Sequence, residues 1–378
     1  WLVTRNPARA ASVLLVDYSC ELKLSTPLAV LAAMKEGVGR GVLVKGGRFL
    51  ESLAAADAVV FDKTGTLTES RPRVAEVIPG EGYERDDILR TAACLEEHFP
   101  HPVARAVVRK AEQEGLHHQE EHTEVEYVVA HGIASRLHGK RVLFGSRHYI
   151  HHDEGVPVDG MREDIERLAR EGRSILYLAV DGKLAGLIAI EDPLRPEAAP
   201  VIRKLLGRGI RVVMLTGDDE RTAAAVAERL GISEYRSQVL PTDKAEVIRS
   251  LQAEGHTVAM LGDGINDSPA LSAADVGVTL SDGADLAREV ADVVLTECRL
   301  DGLVTAVDLS KAAMRRIRTD FGLIMTLNTV FLASGLAGFL QPGPSALLHN
   351  LTTVGVSLNA MRPMLKAGAE PQLEEVSA

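Results

Sequence analysis

Asp62-Lys63-Thr64-Gly65-Thr66 follows the apolar run Val59-Val60-Phe61. A carboxylate at such a strand end can act as a nucleophile toward a phosphoryl group, giving an aspartyl phosphate. Two anions must then approach each other, so their charge has to be offset. Mg²⁺ is the usual means, held by one or two carboxylates with waters and substrate oxygens. Asp263 and Asp267, which follow the run Val258-Ala259-Met260-Leu261, supply such carboxylates. Thr216-Gly217-Asp218, after Val212-Val213-Met214-Leu215, offers a hydroxyl and backbone N–H groups to phosphate oxygens, and Lys244 adds a cation. A lone Asp-Lys-Thr-Gly would be weak, because aspartates are frequent in turns and helix caps. The convergence of separate strand-end groups on one task carries the reading.

These groups sit where a β-rich run meets a Gly/Asp/Thr cluster ahead of a helix-like stretch. That alternation predicts an α/β fold with a doubly wound parallel sheet and ligands at the strand carboxyl ends. Between Glu69 and about Ala189 the pattern becomes polar and His-rich, with strands of its own at 124–130, 141–144 and 175–180, which reads as a second domain inserted into the first. Apolar runs flank the middle at about 10–34, 321–340 and 345–365. A bilayer core needs about 20 such residues per helix, and Gln341-Pro342-Gly343-Pro344 reads as the turn of a hairpin. Two buried helices of a soluble core are the alternative for the last two runs. The first run contains Asp17, Glu21 and Lys23; ionisable groups at membrane depth are costly and usually functional. Basic flanks at Lys35, Arg40, Lys45 and Arg48, at Lys311, Arg315, Arg316 and Arg318, and at Arg362 and Lys366 predict that 35–318 is cytoplasmic, with Arg5 and Arg9 against the rule.

Forty-two basic against 53 acidic side chains give a formal net charge of −11, and aromatics are only 4%. That leaves neither the basic field nor the stacking faces of a nucleic-acid surface. A hydrophobic share of 46% excludes a disordered chain, and 25% charged residues exclude an all-membrane one. Three scattered cysteines, Cys20, Cys94 and Cys298, fit reduced thiols better than a disulfide framework. The length of 378 residues suggests two to three domains. No signal peptide is visible and residue 1 is Trp, so the chain is expected to be part of a longer protein.

With the heptad Asp62 to Thr68 reading DKTGTLT, TGD at 216–218 and GDGINDSPAL at 262–271, the chain resembles the heavy-metal (type IB) P-type ATPases over essentially its whole length. The resemblance implies a haloacid-dehalogenase-like phosphorylation domain at 49–68 and 190–305, interrupted by an α+β nucleotide-binding domain at 69–189. Residues 1–48 and 306–378 would then hold three transmembrane helices and their cytoplasmic connectors, placing the protein in the plasma membrane. It further implies catalytic roles for Asp62, Lys63, Thr64, Thr216, Gly217, Asp218, Lys244 and Asp267, and Mg²⁺ at Asp62, Thr64, Asp263 and Asp267. Phosphatases of the same superfold place an acid two residues after the nucleophile. Here that position is Thr64, which favours a long-lived aspartyl phosphate able to drive a conformational change.

ATP is expected at the inserted domain, where family members contact adenine with a His-Pro pair. That pair is His101-Pro102, preceded by Glu97-His98-Phe99-Pro100 where the family has Ser-Glu. Glu97, Gly132 and Gly145 are the other nucleotide candidates, with Ala130 replacing the first glycine of a family Gly-x-Gly. His98 and His101 at helical spacing could instead bind metal, though no third ligand is evident; His117, His118, His122, His151 and His152 read as a solvated face. In the membrane, Tyr18-Ser19-Cys20 stands where the family has Cys-Pro-Cys. One thiolate with hydroxyl, imidazole or carboxylate groups suits Mn²⁺, Zn²⁺ or Co²⁺ better than Cu⁺. The pattern looks most like the manganese- or zinc-exporting subgroup. Cys20, Ser19, His349 and Asn350 are the leading ligands for the transported cation, with Asp17, Glu21, Asn328 and Thr353 behind them, and Glu21 with Lys23 as an alternative ion pair.

The family's actuator domain, with its Thr-Gly-Glu loop, and its earlier membrane helices are not found in the sequence, so a partner portion is expected. A membrane-anchored Mg²⁺-dependent phosphatase and a non-catalytic nucleotide-binding subunit are the rival readings.

Overall fold

Every residue of Ala58–Asp62 is buried, as a strand with sheet neighbours on both edges and helices on both faces must be. The structure, a computed structural model, describes residues 6–69, 71–97, 102–116, 122–128, 132–263 and 265–365. It divides into two compact units, Asp57–Val290 and a second made of Trp1–Ala56 with Ala291–Ala378.

In Asp57–Val290, parallel strands run in the order Val276–Leu280, Val258–Leu261, Ala58–Asp62, Arg211–Leu215, Glu234–Arg236. The first strand in sequence is therefore the middle one in space. Its neighbours on the two sides come from later, separate βα units, which makes its carboxyl end the topological switch point where such sheets open a crevice. The register sets Leu261 beside Phe61 and Leu215 beside Asp62, so the residues that follow all three strands emerge at one edge.

The inserted domain is a six-stranded antiparallel sheet, ordered Arg73–Pro79, Lys183–Glu191, Ser174–Val180, Lys140–Gly145, Gly132–Leu137, His122–Val128. It extends two residues beyond the expected boundary at 189. The alternation of a strand divides its core into two. Phe144, Leu178 and Ile188 face Ile88, Leu89 and Val107 of helices Arg85–Glu96 and Pro102–Gln113. Their neighbours Leu143, Tyr177 and Leu187 face Ile165 and Leu168 of helix Arg162–Arg170.

The second unit pairs strands Val42–Val44 and Val293–Leu295 antiparallel and packs helices Pro7–Leu14, Tyr18–Val38, Gly47–Ala55, Asp301–Ala337 and Pro342–Ala360. The expected helix at 10–34 is in fact two. Leu15 to Asp17 break it, and Asp17 caps the second helix by accepting from Ser19 N, the usual task of an aspartate at that position. The run at 321–340 is the distal half of one 37-residue helix that includes its connector. Gly338, at φ 88°, ends that helix, and prolines in the first turn open the next, so the turn lies at 338–341 and not at the expected 341–344, where Pro342 to Pro344 are already helical. Among the described residues, one helix, Asp301–Ala337, is long and apolar enough to cross a membrane. Tyr18–Val38 and Pro342–Ala360 fall short because of Glu21, Lys23, Lys35 and Glu36 in one and the prolines, His349 and Asn350 in the other.

These helices invert the usual arrangement. Glu21, Ser25, Asn328, Ser345 and His349 are buried, whereas Leu31, Phe321, Val330, Leu351 and Leu358 are exposed. Ala29, Ala33 and Gly37 continue the stripe of Glu21 and Ser25 at four-residue spacing, letting neighbouring helices approach closely. A side chain at Gly37 would meet Val42 O at 2.9 Å.

Candidate functional site

Asp62 is the last residue of the middle strand, and Asp263 stands two residues beyond Leu261 on the adjacent one. Asp267 closes the turn Ile265–Asp267 and folds back over Gly262, where a Cβ would lie 2.8 Å from that of Asp267. Carboxylate oxygens of Asp62, Asp263 and Asp267 all lie within 4.8 Å of one another. Helix Pro241–Ala253 buries a stripe of Lys244, Ala245, Ile248 and Leu251. That stripe carries the Lys244 ammonium into the group, where it donates to Asp62 Oδ1 at 2.7 Å and to Asp267 Oδ1 at 2.6 Å.

Burial pushes the Asp62 carboxyl up to about 7, helped by the neighbouring Asp267 and opposed by Lys244. For Lys244 burial acts to lower the pKa, but the two carboxylates overcome it and hold the ammonium charged.

The residues fit a small hard cation. The donors are three carboxylates, the oxygen chemistry Mg²⁺ requires. The loop after Asp62 is also shaped around one of them: Gly65 adopts φ +81°, and a Cβ there would lie 1.6 Å from Asp263 Oδ2. Thr64, the other residue expected at the Mg²⁺, is exposed.

At the next strand end, Lys63 forms an ion pair with Asp218. Thr216 Oγ1 donates to Asp218 Oδ2 at 2.8 Å, and Ser174 Oγ donates to Asp218 Oδ1 at 2.6 Å. Burial alone would push the Asp218 carboxyl up; Lys63 and these hydroxyls more than offset it and hold the group below the usual carboxylate range. Gly217 is exposed beside them.

Sequence reasoning missed Ser174, Asp192 and Arg195. Arg195 is 8% exposed. Its Nε donates to the carbonyls of Thr66 at 3.0 Å and Thr68 at 2.9 Å, and its Nη2 to that of Gly65 at 3.3 Å. It therefore holds the loop that follows Asp62. Thr68 Oγ1 accepts from Gly65 N at 2.8 Å and donates to Asp192. The signal available was Asp192-Pro193-Leu194-Arg195-Pro196, where prolines bracket an arginine between a strand and a helix.

Of the nucleotide candidates, Glu97 is exposed just after helix Arg85–Glu96, and Pro102 opens the next helix. His98, Phe99, Pro100, His101 and Ala130 lie outside the described residues. Gly132 and Gly145 are cross-strand partners. A Cβ at Gly132 would lie 2.4 Å from Phe144 O, so strand packing by itself requires glycine there. Beside Glu97, Glu96 has its carboxyl pushed up to about 7 by burial.

The expected ligands of the transported cation are not all brought together. Ser19 and Cys20 are exposed and turn to the cap, Ser19 Oγ donating to Asp17 Oδ2 at 3.2 Å and Cys20 Sγ at 3.0 Å. Asn350 is exposed as well, while His349 is buried. Lys23 is exposed and not paired with Glu21, whose ion-pair partner among the described residues is His349. The reason is helical: successive side chains differ by about 100° around the axis, so Glu21 and His349 turn inward while their neighbours Cys20 and Asn350 turn out.

Residues 56–275 match the family model for haloacid dehalogenase-like hydrolases. The chain is 43% identical to the zinc-exporting P-type ATPase of Mycobacterium marinum, over 96% of this chain and 50% of that protein. It is 42% identical to the manganese-exporting P-type ATPase of Mycobacterium bovis, over 96% and 51%. The crystal structure of a zinc-transporting PIB-type ATPase in its E2.Pi state superposes with a TM-score of 0.67 at 36% identity, covering 92% of this chain and 56% of that one. The chain thus spans about half the length of the curated relatives it matches. It belongs to the haloacid dehalogenase-like hydrolases, and its relatives within them, by sequence and by structure, are metal-exporting P-type ATPases.

Proposed function

We propose that this chain carries the phosphorylation and nucleotide-binding machinery of an ATP-driven exporter of divalent transition-metal cations, together with a membrane hairpin of that pump. The observation that carries the reading is the carboxylate group Asp62, Asp263 and Asp267 around the Lys244 ammonium at the switch point of the sheet. In the reaction, a carboxylate oxygen of ionised Asp62 attacks the γ-phosphorus of ATP. The bond from that phosphorus to the β,γ-bridging oxygen breaks, and ADP leaves with the electron pair. Water later hydrolyses the aspartyl phosphate and regenerates the carboxylate. Asp62, Asp263 and Asp267 would hold Mg²⁺, which would supply the positive charge that lets two anions meet.

Lys244 adds a fixed cation beside the nucleophile, and Arg195 keeps the following loop in register. Thr64 provides no carboxylate to activate water, which supports a phosphoenzyme that persists long enough to be coupled to movement. ATP bound at the inserted domain, by Glu97, His101, Pro102, Gly132 and Gly145, would present the γ-phosphoryl. The inverted burial of the helices in the other unit and the span at Asp301–Ala337 support an integral position in a membrane; the reading places it in the plasma membrane with the catalytic domains cytoplasmic. Transport would also require the portion of its relatives that this chain does not span.

The test is phosphorylation by γ-labelled ATP. The wild-type chain should give an acid-stable, Mg²⁺-dependent phosphoenzyme, and Asp62→Asn none. A labelled Asp62→Asn protein would overturn the nucleophile, and fast turnover of small phosphate esters without nucleotide preference would replace the pump by a membrane-anchored phosphatase. With the remaining portion of the pump supplied, ATPase activity should respond more strongly to Mn²⁺, Zn²⁺ or Co²⁺ than to Cu⁺.

A further inference from the structure

The turn His148–Asp153 follows strand Lys140–Gly145 in the inserted domain and gathers three imidazoles and a carboxylate. Its other two side chains, Tyr149 and Ile150, are 3% and 0% exposed and root the turn in the core beside Leu143 and Val156. The backbone is closed by Ile150 N donating to Ser146 O at 3.1 Å and Glu154 N donating to Tyr149 O at 3.0 Å. The polar side chains therefore stand on a fixed platform. The ring centroids of His148 and His152, four residues apart, lie 5.3 Å from each other, and those of His151 and His152 lie 5.0 Å apart. Asp153 Oδ1 is 3.4 Å from His148 Nε2. His151 Nδ1 is 3.0 Å from Val156 O. A carbonyl only accepts, so the neutral ring carries its proton on Nδ1 and leaves its lone pair on Nε2, the arrangement a backbone carbonyl imposes on metal-ligating histidines.

We infer that His148, His151, His152 and Asp153 bind a divalent transition-metal cation on the surface of the inserted domain. An imidazole nitrogen lies about 2.0–2.1 Å from such an ion and sets the ring centre about 3.2 Å away, so two rings on one tetrahedral ion have centres about 5.2 Å apart. The separations of both ring pairs match that spacing. The ligand atoms are not drawn to one centre; His148, His152 and Asp153 are exposed and reach it by rotation about their own side-chain bonds, with the backbone unchanged. Imidazole nitrogens with one carboxylate suit Zn²⁺, Co²⁺ or Ni²⁺, whereas Mg²⁺ takes oxygen. Glu154 is set aside from the ion by its pairing with Arg141 at 2.8 Å. His151 and His152, which read from the sequence as a solvated face, thus acquire a task of their own. The site differs from the Asp62, Asp263 and Asp267 group in its donors and its domain, and it stands without the transport reading.

The experiment is Zn²⁺ binding to the purified chain in detergent with saturating Mg²⁺, read by competition against a chromophoric chelator. His148→Ala combined with His152→Ala should bind one equivalent fewer than the wild type, and His148→Ala alone should weaken that equivalent by at least about 10-fold. His117→Ala combined with His118→Ala, an adjacent pair elsewhere in the chain, should bind as the wild type does. With excess chelator and no Zn²⁺, the His148 and His152 variants should melt with the wild type, because both rings are exposed; a lost equivalent is then not a lost fold. Unchanged stoichiometry and affinity in the doubly substituted protein would overturn the inference. So would an equal loss on substituting His117 and His118, which would make binding a matter of histidine number alone. The titration needs no turnover. An equivalent held by these histidines in a chain that forms no phosphoenzyme would refute the proposed reaction alone, whereas a phosphoenzyme with Zn²⁺ binding indifferent to His148 and His152 would refute this site alone.

Discussion

Replacing Gly65 by Ala tests whether the phosphorylation loop is built around the cation site. Gly65 sits at φ +81°, where an L residue costs about 1–2 kcal/mol. The added methyl would also lie 1.6 Å from Asp263 Oδ2. To recover an ordinary contact of about 3.5 Å, the carboxylate or the loop must move by about 2 Å. Mg²⁺ tolerates little departure from octahedral distances near ~2.1 Å, and a misplacement of ~1 Å at a reacting centre can cost on the order of 100-fold in rate. The expected result is a loss of at least about 100-fold in the phosphorylation rate at limiting Mg²⁺, with a fall in melting temperature of a few degrees. Gly82 separates the two effects, because it adopts φ +83° with nothing within 4 Å of a would-be Cβ. Gly82→Ala should lose similar stability through backbone strain and keep phosphorylation intact. Rapid-quench labelling with γ-labelled ATP across a Mg²⁺ series, beside thermal melts, measures both. A Gly65→Ala protein with wild-type Mg²⁺ dependence would refute the argument that the missing Cβ makes room for Asp263.

Other consequences can be checked with the same tools. In chelator, folded Asp62 keeps a proton up to about 7, whereas an unfolded aspartate releases it near ~4. Stability should therefore fall as pH rises through that window, and melting curves of Asp62→Asn should show a flatter slope. Lys63→Met leaves Asp218 buried without its cation and should cost about 3–5 kcal/mol near neutral pH. Part of that loss should return on acidification, as the carboxyl takes up a proton; a loss independent of pH would refute the pairing. Arg195→Lys cannot reach the carbonyls of Gly65, Thr66 and Thr68 together. The phosphorylation rate should drop while calorimetric affinity for an ATP analogue stays within about twofold, since Arg195 contacts the loop and not the inserted domain's candidates.

The carboxylate group at the strand ends was legible because its information is local. A buried parallel strand reads as a short apolar run, and the residue that ends it falls at the crevice by the geometry of the fold; this identified Asp62, Thr216 and Asp263 without any knowledge of contacts. Lys244 and Asp267 followed from the same strand-end logic and from motif resemblance. Arg195 was not legible, because a buried arginine that serves three carbonyls more than 120 positions back leaves no periodic trace. The inserted domain read as a separate unit, but the pairing of Gly132 with Gly145, and the clash that demands glycine at 132, exist only once strand register is set.

The apolar helices divide in the same way. Composition alone determined where the apolar helices lie and that the first carries charge. Only packing decided that Leu15 to Asp17 interrupt it, and that Glu21 rather than Cys20 faces Asn328 and His349, 307 and 328 positions away in the chain. Neighbouring residues on a helix point about 100° apart, so which of them turns inward depends on the phase of the helix against its partners, a quantity that no single segment contains.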